Sequence, residues 1–434
     1  MNVYLDSVGC RLNQSEIEKY GLQFRAAGHR IVASMDQAEI MVLNSCAVTA
    51  SAAADSRKKV RQAAKAGIAE IVLTGCWSNL APEEAAQLPG VSKIVPNAVK
   101  DELVHDLLGI ESREYGLAPL ARQLLPGARQ RTRAFIKVQD GCDNRCTFCV
   151  TTIARGRSRS RGIEEVLGDI QSAIMGGAQE VVLTGVHLGS WGYDFSQPLH
   201  LRDLVEKILE VTDVRRVRLS SLEPWDLDKA FFSLWENPRL CRHLHLPLQS
   251  GSAGTLRRMA RNTTPDKFHA LVEAARQTIP DVAITTDVIA GFPGETEKEF
   301  AESMAFIEAI EFSGAHIFTY SERPQTAAAH MPDQVHNYTR KARHAALQAV
   351  VAKSEAAFRA SFVGQEMPVL WENVEQIGDN NWQHTGLTDN YLRVQTHNPE
   401  PLWNRITPTR LTATHLAGLY GRIQAYGDVV WFAD

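Results

Sequence analysis

Short apolar runs recur along the chain, each followed by a longer stretch whose apolar positions return every three or four residues. In the first hundred residues the runs fall at 3–5, 40–43 and 71–73, and the helical stretches at 14–27, 53–66 and 82–87. A short apolar run fits a strand buried on both faces, and the 3.6-residue period fits a helix laid over it. The alternation predicts a parallel sheet covered by helices. Between 131 and 330 strand runs fall at 135–139, 180–185, 214–219, 243–248, 283–290 and 315–320, with helical stretches at 163–174, 201–211, 227–236, 265–277 and 295–309 between them. Six such steps predict a partial (β/α)6 barrel with its functional groups at the carboxyl ends of the strands. An amphipathic helix at 338–362 follows. The pattern then changes to short strand-like runs at 367–371, 391–396 and 429–432, with many turn residues, which predicts a small all-β barrel. The fold class is therefore α/β with a small β tail. Its domains are 1–112, a linker at 113–130 carrying Pro119, Pro126 and Gly127, 131–362 and 363–434.

Composition narrows the class. Of 434 residues, 44% are hydrophobic and 22% charged, which excludes a disordered chain. The first ten residues carry neither a basic nor an apolar leader segment, and no apolar run approaches a membrane span. A cytoplasmic protein without a membrane partner is expected. The net charge of −4 does not advertise a nucleic-acid binder, but it hides a patch. Residues 129–161 hold nine Lys and Arg against Asp140 and Asp143, together with three of the seven cysteines. From 366 onward eight acidic residues face four arginines.

The sharpest chemical signal is Cys142-Asp-Asn-Arg-Cys146-Thr-Phe-Cys149, just after the first strand of the barrel zone. Three thiolates at this spacing can wrap three corners of a cubane iron–sulfur cluster and leave one iron open. A structural zinc site needs a fourth ligand, and no second CxxC or HxxxH pair lies nearby. A second triplet is spread through the first zone: Cys10, Cys46 and Cys76 each follow a strand within a few residues. The carboxyl ends of parallel strands share one edge, so these three should converge there. They read either as ligands of another open cluster or as ordinary buried cysteines.

With these residues in place, the chain resembles the radical S-adenosylmethionine (SAM) methylthiotransferases over nearly its whole length. The residues that carry the resemblance are GCRLN at 9–13, VLNSCAVT at 42–49, VLTGCW at 72–77 and DGCDNRCTFC at 140–149. Further matches are ARGRSRSR at 154–161, VLTGVHLG at 182–189, SSLEP at 220–224, HLPLQSGS at 245–252 and TDVIAGFPGETEKEF at 286–300. The resemblance implies a Rossmann-like cluster domain, a radical-SAM barrel and a C-terminal RNA-binding barrel of the TRAM type. It implies that Cys142, Cys146 and Cys149 hold a SAM-binding [4Fe-4S] cluster, and that Cys10, Cys46 and Cys76 hold an auxiliary [4Fe-4S] cluster. Two SAM molecules serve each turnover in such enzymes, one methylating a sulfur and one generating the radical that opens a C–H bond. Of the family's branches, those acting on isopentenyladenosine in tRNA, on threonylcarbamoyladenosine in tRNA and on an aspartate of a ribosomal protein, GCRLN and Gly386-Leu-Thr-Asp-Asn-Tyr-Leu-Arg-Val394 resemble the threonylcarbamoyl branch. The implied partners are a tRNA anticodon stem-loop, a reducing electron donor and a sulfur source. Thr152 stands where the family often has proline, and Gln325 and Ala327 stand where it usually has glycine and proline.

The resemblance also nominates SAM contacts. Phe148 would present backbone atoms to the adenine, and Gly176 and Gly177 are similar to a GGE element near the SAM amino group, although a helix-ending turn explains them equally. Ser220, Glu223 and Gln249 fall at strand ends facing the expected pocket, and Asp287 and Gly291 on the fifth strand or its exit; simple packing or turn chemistry is the rival explanation for each. Arg155, Arg157, Arg159 and Arg161 alternate with small residues beside the cluster loop and are candidates for RNA phosphates, against the reading of a solvated charged face.

Overall fold

The computed structural model describes residues 1–110, 120–126 and 132–424. The first zone folds as the apolar runs predict. Strands β1 (Asn2–Ser7), β2 (Arg30–Ile31), β3 (Ile40–Ser45), β4 (Glu70–Gly75) and β5 (Val91–Ile94) form one parallel sheet in the order β2-β1-β3-β4-β5. Helices α1 (Arg11–Ala26), α2 (Ala50–Lys65), α3 (Cys76–Leu80), α4 (Pro82–Ala86) and α5 (Leu103–Leu108) connect and cover it. Every residue of β3 is buried, which is why that strand reads as an unbroken apolar run.

The barrel zone holds β6 (Ala134–Lys137), a two-stranded ribbon of β7 (Gln139–Asp140) and β8 (Arg159–Ser160), and then β9 (Glu180–Thr184), β10 (Arg216–Leu219), β11 (His243–His245), β12 (Ala283–Ala290) and β13 (Gly314–Thr319). Two parallel sheets, β10-β9-β6 and β11-β12-β13, are joined by bridges between Val217 and Leu240 and between Ser221 and His245. The six strands thus curve in chain order as a partial barrel. Outside them lie α6 (Thr151–Arg155), α7 (Ile163–Met175), α8 (Leu201–Val211), α9 (Lys229–Phe232), α10 (Ala253–Arg258), α11 (Pro265–Thr278), α12 (Glu297–Ile310) and α13 (Asn337–Ala360). One large core of strand and helix residues runs through this zone, including Val181, Val217, Leu244 and Phe268. Sharp helix starts explain the clean steps: Thr264 caps α11 ahead of Pro265, and Thr296 with Glu299 forms a capping box on α12.

The tail is a closed barrel of β14 (Glu366–Gly378), β15 (Asn381–Thr388), β16 (Arg393–Asn398), β17 (Ile406–His415) and β18 (Gly418–Ile423), ordered β14-β15-β16-β18-β17. The strand expected at 429–432 lies outside the described residues, as does most of the expected linker. Its described part, 120–126, is clamped: Arg122 pairs with Glu18 at 2.9 Å, and Leu125 enters the N-terminal core. Helix α1 docks on the barrel through Ser15, whose hydroxyl accepts from the Lys137 amide at 3.0 Å. The tail docks on β10, where Arg216 donates to the Pro368 carbonyl at 2.7 Å and Arg218 to that of Asp389 at 2.9 Å.

Candidate active site

Cys142, Cys146 and Cys149 lie on the loop between β7 and α6, at the carboxyl end of the first barrel strand. The Asn144 amide donates to Cys142 Sγ at 3.4 Å and the Thr151 amide to Cys149 Sγ at 3.3 Å, while Arg261 Nη1 lies 3.7 Å from Cys146 Sγ. Thr152, in the usual proline's place, ties the loop with a 3.1 Å bond to the Asn144 carbonyl. Burial raises the Cys146 and Cys149 thiols, and the charge of neighbouring cysteines of the set raises them further.

Cys10 ends the loop after β1, Cys46 follows β3 and Cys76 follows β4, so the strand-edge argument places them together. Gly9 and Gly75 precede two of them with φ of +93° and +96°. A Cβ on Gly9 would strike Cys46 Sγ, and one on Gly75 would strike the Ser45 carbonyl, so the loops can meet only because both residues lack side chains. Burial pushes the Cys46 thiol up to about 11, with further pressure from Cys10 and Cys76. Cys10 is exposed by area, yet the protein packed around its sulfur raises it too, and Cys76 adds to the rise.

All seven cysteines are free of disulfides. Among the described residues no group of three or more His, Cys, Asp or Glu side chains closes on a single metal ion. A cubane spreads its ligands over separate irons, and unpaired thiols with amide and guanidinium donors aimed at sulfur are the donor set such a cluster takes. Both triplets fit.

Arg155 joins them. It lies on α6 of the cluster loop, and its Nε donates to Cys76 Sγ at 3.3 Å. Its Nη2 donates to Asn13 Oδ1 at 2.5 Å, and its Nη1 lies 2.8 Å from Asp140 and 3.3 Å from Glu16. Lys100 pairs with Glu16 at 2.6 Å and with Asp140 at 3.0 Å, and Lys137 reaches the same two carboxylates. Five charges are thus buried where the N-terminal domain meets the barrel. Burial opposes the charged form of Glu16, but Lys100 and Arg155 prevail and hold its carboxyl at about 2.

Most nominated SAM contacts follow the same strand ends. Ser220 follows β10 with its hydroxyl buried and unpaired. Glu223 pairs with Arg261 at 2.6 Å, placing a carboxylate one residue away from Cys146. Gln249 takes a left-handed φ of +72° beside β12, where its amide donates to the Asp287 carbonyl at 2.8 Å. The Asp287 carboxylate lies 3.4 Å from His245 Nε2, and the Gly291 amide donates to Glu295 at 3.1 Å. Phe148 packs edge-on against Phe292.

Gly176 and Gly177 do not belong to this group. They close α7 at the foot of β9, where the Gly177 carbonyl accepts from Asn404 of the tail barrel at 2.8 Å and a Cβ on Gly176 would strike the Arg122 carbonyl. They are the helix-ending turn. The end of β9 nearest the cysteine loop instead carries Val186 and His187, whose amides donate to Gln139 Oε1 at 2.9 Å each. His187 bonds Asp226 at 2.6 Å; burial disfavours its charge, but Asp226 and Cys142 outweigh that and push it up to about 10. His187 lies within VLTGVHLG, and Arg261 gives no sequence signal because its partners are distant in the chain.

The arginine run also divides. Arg155 is buried in the ion cluster and cannot reach RNA. Arg161 is committed to Asp169 at 2.6 Å and to the Lys137 carbonyl at 2.7 Å. Arg157 and Arg159 remain, with side chains 92% and 47% exposed.

Residues 136–307 match the Radical SAM superfamily, and residues 2–96 match a family described as uncharacterized protein family UPF0004. The chain is 31% identical over 420 residues to the threonylcarbamoyladenosine tRNA methylthiotransferase MtaB of Bacillus subtilis, covering 94% of this chain and 93% of that one. It is 36% identical to the protein of the same description from Thermotoga maritima, over 85% of this chain and 86% of the other. Among solved structures, the radical SAM methyltransferase TsrM from Kitasatospora setae shares the fold with a TM-score of 0.58 at 14% identity, over 76% of this chain and 75% of that one.

Proposed function

The chain belongs to the radical-SAM methylthiotransferases, and from that premise we propose that it inserts a methylthio group at C2 of N6-threonylcarbamoyladenosine at position 37 of tRNA, beside the anticodon. The family's [4Fe-4S] clusters and SAM supply a radical able to open an unactivated C–H bond and the methylated sulfur that replaces the hydrogen. Cys142, Cys146 and Cys149 would hold the SAM-binding cluster, and Cys10, Cys46 and Cys76 the auxiliary one. Ser220, Glu223, Gln249, Asp287 and Gly291, with the backbone of Phe148, would orient SAM at the strand ends. Arg261 would hold the Glu223 carboxylate in place and steady Cys146. Arg157 and Arg159 would engage RNA phosphates. A reducing electron donor and a sulfur source complete the partners. Because the substrate is tRNA, we place the protein in the cytoplasm; no helix among the described residues is long and apolar enough to cross a membrane.

The observation that supports this reading is the bond from Arg155, on the helix that follows Cys149, to Cys76, which brings the two cysteine triplets to one domain junction. A single-cluster radical enzyme has no use for the first set. Mass spectrometry of tRNA nucleosides from strains with and without the gene tests it. Loss of the methylthio group from threonylcarbamoyladenosine is the expected result. Loss from isopentenyladenosine, or from a ribosomal-protein aspartate, would assign the chain to another branch.

A further inference from the structure

A cavity of about 280 Å³ lies at the amino-terminal ends of the barrel strands, between the barrel, α1 and the tail domain. Arg11, Arg133, His243, Thr285 and Tyr391 are among the residues lining it. Arg11 is the residue after Cys10. Its Nη2 donates to the Tyr391 hydroxyl at 2.9 Å, and among the described residues it pairs with no carboxylate. The guanidiniums of Arg11, Arg133 and Arg218 all lie within 5.9 Å of the Tyr391 ring. Arg218 is neutralised by Glu180 at 2.6 Å and Arg133 by Glu372 at 2.5 Å. Arg11 is therefore the uncompensated cation of the three.

The same cavity holds unmet polar atoms. His243 stacks on Tyr391 with ring centres 4.4 Å apart and engages Thr285 through Nε2 at 3.0 Å, but its Nδ1 is buried without a partner. Nη1 of Arg133 is also buried and unpaired. Burial and the charge of Arg218 keep His243 neutral, well below the usual imidazole range. Leaving such buried groups unsatisfied is costly, and a ligand carrying its own polar groups removes that cost. A guanidinium bonded to a hydroxyl and, among the described residues, to no carboxylate selects an anion. The volume, just under the roughly 300–1,000 Å³ of sites for drug-sized ligands, has room for a small polar substituent.

We propose that this chamber receives the N6 substituent of the target adenosine, with Arg11 and Arg133 holding its carboxylate. The inference rests on the function proposed above. A threonylcarbamoyl group carries a carboxylate and a hydroxyl, which match the guanidinium, imidazole and threonine groups on the wall. An isopentenyl group is apolar and would bury Arg11 unpaired. Arg11 follows Cys10 directly, so the residue that reads the substituent is tied by the backbone to the loop that carries Cys10.

The test uses the full chain, reconstituted without oxygen, and two anticodon stem-loop RNAs. One carries threonylcarbamoyladenosine and the other its methyl ester, which removes only the charge. Methylthio product is measured to separate KM from kcat. The wild type is expected to show a KM for the ester at least about tenfold above that for the acid. Arg11→Gln should raise KM for the acid by a similar factor and leave that for the ester alone, and Arg11→Lys should recover part of the loss. Because Arg11 adjoins Cys10, iron content and visible absorption are checked in each variant. Tyr391→Phe removes the bond that orients Arg11 from the other domain and should shift the acid-to-ester ratio the same way by a smaller factor. Equal handling of acid and ester by the wild type would overturn the proposal. So would an unchanged ratio in iron-replete Arg11→Gln and Tyr391→Phe. A wild type that methylthiolates neither RNA overturns the function itself, and this inference with it.

Discussion

Arg155 Nε donates to Cys76 Sγ across 3.3 Å, so a residue of the barrel's cluster loop touches a cysteine of the N-terminal domain. The same guanidinium faces Asp140, Glu16 and Asn13, and only a planar fork with several donors can serve them all. Arg155→Gln takes away the guanidinium that bonds Asp140 and Asn13 and approaches Glu16, leaving these buried acceptors without their shared donor. The expected loss is about 3–5 kcal/mol of stability, read as a lower thermal midpoint by circular dichroism. Arg155→Lys keeps the charge but not the fork and should fall between. In both variants iron held by the first triplet should be lost on gel filtration sooner than iron held by the second.

Glu16 gives the acid limb of the stability profile. Its carboxyl titrates at about 2 in the folded chain because Lys100 and Arg155 outweigh burial, against roughly 4.3 in the unfolded chain. A depressed folded value stabilises the native state above the unfolded value and ceases to do so as pH falls. The contribution should be fully present above about pH 5 and disappear between about pH 4.5 and 2, amounting to about 3 kcal/mol. Urea unfolding across that range should show a steeper loss in the wild type than in Glu16→Gln. Parallel curves would exclude Glu16 as the source.

Strand direction explains what the sequence disclosed and what it concealed. Cys10, Cys46 and Cys76 could be brought together in advance because alternating strands and helices set every carboxyl end on one edge. Arg155 was misread because an arginine in a basic run is by default solvated, and its burial depends on Glu16, 139 residues away. Gly176 and Gly177 stay open in the sequence because a glycine pair looks the same at a helix end as beside a ligand; their place at the foot of β9 decides for the helix end. The meeting of Arg11 with Tyr391 spans 380 residues and follows no local pattern. Strands β2 and β5 escaped because both are short edge strands with partly exposed residues, so neither shows an apolar run.

Arg157 and Arg159 are the two members of the basic run left open to solvent, each in a long ion pair, to Asp143 at 3.5 Å and to Asp140 at 4.0 Å. Phosphate contacts release counterions, so each one adds close to one unit to the slope of log affinity against log salt. The double change to glutamate should weaken tRNA binding and lower that slope by about 2 units. Filter binding between low and moderate salt measures it. Arg161→Glu should instead reduce stability, since its partners are Asp169 and the Lys137 carbonyl.

The two cysteine triplets should be separable in one experiment. Changing Cys142, Cys146 and Cys149 to alanine removes the donors on the barrel loop and should remove about half of the reconstituted iron, together with all reductive cleavage of SAM to 5′-deoxyadenosine. Changing Cys10, Cys46 and Cys76 should remove the other half while 5′-deoxyadenosine is still formed, because the loop after β7 keeps its own amide donors to sulfur from Asn144 and Thr151. In that second variant no methylthio product should appear, since the sulfur to be transferred would have no site. Burial alone would also account for Cys46 and Cys76, as it does for Cys241, which lies 3.9 Å from Glu180 inside the barrel. The two explanations part on iron: a first triplet that only fills the core would leave iron content and product formation at wild-type levels when it is replaced, and Cys241→Ala provides the matching control for a cysteine that does only that.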